Sequence, residues 1–129
     1  MRSSLTTVAD SVVGTIRRSD KISVGIIVIN HAIKHELTRE IVGIFSSKEY
    51  SDNMFADQLA IHRLGYVQTK RGSNVFIAMP SPYTFRGYSF DYIYYPRDSL
   101  LTPRQQNFIA TARQEITPSI KPNGFLVAY

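Results

Sequence analysis

The sequence predicts an α+β fold in a single domain of 129 residues, and three observations carry that expectation. Apolar residues recur at helical spacing in the first half of the chain. Two runs that alternate with a period of two flank Gly72-Ser73. Thr102-Pro103-Arg104-Gln105 carries the signature of a capped helix start. The expected inventory is about four helices and two antiparallel β-hairpins, the second half (83–129) holding a tyrosine-rich hairpin and a last helix. Hydrophobic residues at 43% and charged residues at 19% are ordinary for a domain that buries its own core.

In residues 6–18, Val8, Val12, Val13 and Ile16 share one helical face. Gly14 weakens that helix, and Arg17, Arg18 and Lys21 suit its C-terminal end. The run SVGIIVIN at 23–30 is rich in β-branched residues, yet Ile26, Ile29, Ile33 and Leu37 also fall at helical spacing. Periodicity leaves this stretch open between strand and helix. The expectation is a strand ending near Asn30, then a helical turn through His31 to Glu36. Thr38 is the expected cap of a further helix carrying Leu37, Ile41, Ile44 and Phe45.

Ser51 can cap the next helix, with Asp52 in its first turn and Phe55, Leu59, Ile61 and Leu64 facing inward. Gly65 is its expected C-terminal stop. Strands are expected over 66–71 and 74–79, joined by a type II′ turn with Gly72 at its first central position. Pro80 and Pro82 end that pairing. A second hairpin over 83–96, with Gly87 at its turn, would align Tyr88, Phe90, Tyr92 and Tyr94 on one face. Ile109, Ala112 and Ile116 give the helix after Thr102 an apolar stripe, and GFLVAY at 124–129 is expected to add a strand.

The formal charge of +5 comes from 15 Lys and Arg against 10 Asp and Glu, a balance compatible with a polyanion partner. The chain has no cysteine, which excludes disulfides, thiolate metal sites and thiol catalysis. The longest apolar run, 24–29, is too short to span a bilayer, so no membrane partner is expected and the expected location is the cytoplasm. No Walker A loop, GxGxxG or GxSxG pattern is present, and Asp57, Asp91 and Asp98 form no paired-carboxylate spacing. The expectation is a protein that is not an enzyme and needs no cofactor.

The order over residues 37–79 (helix, glycine stop, strand, basic turn, strand) resembles winged-helix DNA-binding domains. There a recognition helix runs into a hairpin wing. The resemblance implies groove-facing residues on the 52–63 helix and at its cap: Ser51, Asn53, Gln58, His62 and Arg63. Amide and guanidinium groups of this kind bond base edges. It implies phosphate contacts from the wing residues Lys70, Arg71, Ser73 and Asn74, with Arg86 as a further anchor. Asp52 and Asp57 depart from the pattern, since both would repel phosphate. The competing reading packs this helix on its own hairpin without any ligand.

Two other groups stand out. Tyr88, Tyr92, Tyr94 and Tyr95 lie in a dense aromatic stretch that suits packing against a helix, a protein interface or base stacking. His31 and His35 are four apart, with His62 as a possible third ligand, but no HExxH pattern accompanies them and no metal is expected. The expected function is nucleic-acid binding, with duplex DNA ahead of RNA and a homodimer as one arrangement. The alternative is a protein–protein module, or a small inhibitor of a larger enzyme, using the tyrosine-rich face.

Overall fold

The computed structural model describes residues 4–18, 21–46, 59–79, 89–97 and 101–129. Among them are helix α1 (Ser4–Arg18), strand β1 (Ser23–Ile27), helix α2 (His31–Phe45) and strands β2 (Leu59–Arg63), β3 (Tyr66–Thr69), β4 (Asn74–Ala78) and β5 (Phe90–Tyr95). Helix α3 (Pro103–Ile116), a 3-10 turn (Thr117–Ser119) and strand β6 (Ile120–Ala128) follow.

The strands form one mixed sheet in the order β2-β3-β4-β1-β5-β6. β1 pairs in parallel with β4 on one side and with β5 on the other, and β6 extends the parallel half beyond β5. β2, β3 and β4 make an antiparallel meander at the opposite edge. Helices cover both faces. Val8, Val12, Val13 and Ile16 of α1 and Leu37, Ile41 and Phe45 of α2 are buried with Val24, Ile26, Val67, Val75, Ile77 and Tyr94. On the other face Ile109 of α3 and Leu101 join Ile27, Ala78, Phe90 and Ile93. This follows from parallel connections: the route from β1 to β4 and that from β5 to β6 run in opposite directions along the sheet. Crossovers of one hand then place their helices on opposite faces.

The ambiguity of residues 22–29 has a physical cause. β1 lies in the middle of the sheet, with Val24, Ile26 and Val28 toward α1 and α2 and Ile27 toward α3. A strand buried on both faces loses its alternation and reads as a continuous apolar run. The Asn30 side chain accepts a hydrogen bond from Ile33 N at 2.9 Å and caps α2, which then runs unbroken to Phe45. Thr38 is therefore an interior residue, not a cap.

Three further expectations are corrected. Residues 59–63, expected to be helical, form β2, whose partner across a two-residue turn is β3. Gly65 has φ +80 and is the second central residue of that turn, the position that favours glycine in a type II turn. A glycine serves equally as helix stop or hairpin turn, so the local signal did not separate the two. The β3–β4 turn is also different in kind. Thr69 N bonds Ser73 O at 2.8 Å and Gly72 N bonds Thr69 O at 3.1 Å, so the loop has three residues with Gly72 (φ +99) at its end. That is a turn closed by a glycine bulge rather than a two-residue type II′ turn. Finally, β5 has parallel neighbours on both sides, so it is not one arm of an antiparallel hairpin. Gly87 lies outside the described residues. So the mixed α+β class is confirmed, whereas the winged-helix arrangement, the second antiparallel hairpin and the fourth helix are not among the described elements.

The start of α3 is as expected. Gln105 N donates to Thr102 Oγ1 and Thr102 N donates to Gln105 Oε1, a complete capping box with Pro103 in the first turn. No helix among the described residues is long and apolar enough to cross a membrane.

Candidate functional site

The sequence-predicted site residues separate into two groups at opposite ends of β3. His62 and Arg63 end β2 beside the Leu64-Gly65 turn, at the C-terminal edge of the parallel strands. Lys70 and Arg71 sit on the β3–β4 turn, at the N-terminal edge beside Ser23 and Asn74. The six residue-to-residue steps from Leu64 to Lys70 span roughly 20 Å when extended. A single recognition helix with an adjacent wing would have kept them together.

At the N-terminal edge, cations meet from separate parts of the chain. Lys21 takes the left-handed conformation (φ 54) that side chains other than glycine rarely adopt, and its Cγ lies 3.4 Å from where a Cβ on Gly72 would stand. Lys21 is thus laid against the Lys70-Arg71-Gly72 turn, and Arg17 lies in the last turn of α1, just before β1. Lys21, Lys70 and Arg71 are exposed. Ser73 is not: it is 1% exposed, its hydroxyl accepts from Ile22 N at 3.0 Å, and its own N–H donates to Thr69 Oγ1. It holds the turn to β1 rather than reaching for a phosphate. Asn74 is half-buried on β4, its N–H donating to Ile22 O.

At the C-terminal edge, α2 and the β2–β3 turn enclose an open groove of about 500 Å³ lined by His35, Thr38, Arg39, Val42, Gly43, Ser46, His62, Arg63 and Leu64. Its helical wall follows from spacing, since 35, 39, 42, 43 and 46 recur on one helical face. Thr38 fixes the two walls together. Its hydroxyl donates to Lys34 O at 2.7 Å and accepts from Gly65 N at 3.2 Å. The guanidinium of Arg63 lies 5.2 Å from the centroid of the Tyr66 ring.

The tyrosines are dispersed. Tyr94 is 3% exposed, its hydroxyl within 3.1 Å of Ser11 Oγ, so it belongs to the packing of α1 on the sheet and not to an exposed contact face. Tyr92 is half-buried and stacks on Phe125, and Tyr95 lies under the Arg113 guanidinium. Asn53, Gln58, Arg86 and Tyr88 lie outside the described residues, as does Ser51. His31, His35 and His62 are exposed, and no group of three metal-ligating side chains forms among the described residues.

Sequence reasoning missed Tyr129. In open α/β sheets, ligands bind outside the carboxyl ends of the strands where the connections diverge, here between β1 and β5. Tyr129 fills that place. Its N–H donates to Tyr95 O, its carbonyl accepts from Arg97 N, and its hydroxyl donates to Ile27 O. Burial raises its pKa above the usual tyrosine value of 10.0. The β1–α2 connection at the same edge is Val28-Ile29-Asn30, without the glycines and lysine of a phosphate-cradling loop.

No family model matches the chain, and no curated protein matches it by sequence. Among solved structures it is similar to the large terminase ATPase domain of Thermus phage P74-26, with a TM-score of 0.64 and 8% sequence identity. The match covers 96% of this chain and 53% of that one, so the chain spans about half the length of the domain it resembles. At this identity the likeness is one of fold.

Proposed function

We propose that this chain is a nucleic-acid-binding module that holds duplex DNA by its phosphates through the basic edge formed by Lys21, Lys70 and Arg71. The observation that carries the reading is the convergence of Lys21 on the Lys70-Arg71-Gly72 turn, which gathers cations from distant parts of the sequence at one end of the sheet. Lysine and arginine on a projecting turn contact phosphate without reading base sequence. The net charge of +5 adds a favourable long-range field. The reading assigns binding, and no nucleotide hydrolysis, to a sheet like that of the terminase ATPase domain. In this chain the β1–α2 connection lacks a phosphate-cradling loop, and Tyr129 fills the crevice beside it.

The test is fluorescence anisotropy with labelled duplex DNA, single-stranded DNA and RNA at about 50 and 200 mM salt. Steep salt dependence with duplex is expected. Lys70→Ala with Arg71→Ala should reduce the slope of log K against log salt by about 0.9 for each phosphate that is no longer neutralised. An unchanged slope in the double variant removes the turn from the mechanism.

A protein partner is the second reading, favoured by Phe125 and Leu126, which are 58% and 41% exposed on the edge strand β6. Absence of binding to all three nucleic acids would make it the leading one.

A further inference from the structure

We infer that the groove between α2 and the β2–β3 turn is a second, separate site that takes a phosphate group, clamped between Arg39 and Arg63. Two arginines and two imidazoles, His35 and His62, come to this groove from different elements, and no carboxylate is among its lining residues that the structure describes. The two imidazoles alone would also suit a divalent cation. The two guanidinium groups decide against one, because they repel it and offer planar forks of donors that match an oxyanion.

The shape fits the same ligand. The Arg63 guanidinium lies beside the Tyr66 ring, a cation–π contact that steadies the side chain on the groove wall. Lys34 is drawn to the rim, its Cε 2.5 Å from where a Cβ on Gly65 would stand. Val42 and Leu64 supply apolar walls for whatever carries the phosphate. A Cβ placed on Gly43 would meet no atom within 4 Å, so the helix opens the groove there by having no side chain. Thr38 locks the two walls in register, so the arginines are presented by fixed elements.

The experiment titrates the full chain with sodium phosphate at constant ionic strength and follows backbone amide resonances. Saturable shifts confined to residues 35–46 and 62–65 are expected. Arg39→Ala and Arg63→Ala should each weaken binding about tenfold, the usual loss for a charge-assisted hydrogen bond. Gly43→Leu should abolish binding while circular dichroism and thermal stability are kept, since the added side chain enters open space. Two further arms separate the sources of the phosphate. Tighter binding of a 5′-phosphorylated oligonucleotide than of its 5′-hydroxyl counterpart assigns a strand end, and binding of phosphate but of neither oligonucleotide assigns a small phosphorylated molecule. Shifts that fail to saturate, or that survive both arginine variants, overturn the inference. So does tighter binding of zinc chloride that disappears in His35→Ala. The double variant Lys70→Ala, Arg71→Ala should leave phosphate binding here unchanged, so failure at one end of the sheet is distinguishable from failure at the other.

Discussion

Replacing Thr38 by valine tests whether one hydroxyl holds the meander to α2. Valine keeps the shape and nearly the same helix propensity, so the change isolates the hydroxyl. Thr38 is 7% exposed, and its oxygen accepts from Gly65 N at 3.2 Å. Removing the acceptor strands a buried N–H, which costs about 1–3 kcal/mol. Removing the donation to Lys34 O costs less, because that carbonyl sits within a helix whose backbone can still use it. A net loss of about 1.5–2 kcal/mol follows. At about 2.1 cal/mol/K per residue, unfolding 129 residues carries roughly 270 cal/mol/K. The melting temperature should then fall by about 6–7 °C. Calorimetry reads the shift, and amide exchange at Gly65 should lose protection in the same variant. An unchanged melting temperature with Gly65 still protected would refute the reasoning and free the meander from α2.

Two other outcomes are expected. Gly65→Ala should destabilise by about 1–3 kcal/mol, because φ is +80 and the new Cβ would lie 2.9 Å from the Ile77 carbonyl oxygen, a backbone atom that cannot give way; thermal unfolding checks it. Tyr129 holds its proton in the fold above the usual value of 10.0, so in alkali the unfolded chain binds fewer protons and stability falls as pH rises. The fall in unfolding free energy between pH 8 and 10.5, read from urea titrations, should be about 0.8 kcal/mol smaller in Tyr129→Phe.

What the sequence discloses depends on whether a signal is local. The α3 capping box, the face of α1 and the β3–β4 strands are set by residues a few positions apart, and all three were legible. β2 was not, because LAIHRLG fits a helix ending at glycine as well as a strand entering a turn. Only pairing with β3 decides between them. Tyr94 illustrates a different limit: alternation showed which side of a strand it occupies, but α1, more than 70 residues earlier in the chain, decides that this side is covered. The basic edge was half visible. Lys70 and Arg71 announce themselves, whereas Lys21 joins them only through the pairing of β1 with β4. The groove carries no contiguous motif, and Tyr129 gave no sign of reaching across to Ile27.

The central place of β1 governs how this chain must be made. Ser23 pairs with Asn74, a separation of 51 residues, and Val24 with Tyr92, a separation of 68. On a ribosome moving at roughly 5–20 residues per second, the N-terminal third waits several seconds for either flanking strand to emerge. Throughout that interval an apolar strand has no sheet to enter, and α1 and α2 can shield only one of its sides. Such an order of synthesis favours slow closure and exposes the nascent chain to aggregation. A chain stopped before β4 is therefore expected to aggregate more readily than one that carries both neighbours of β1, which light scattering of the two would check.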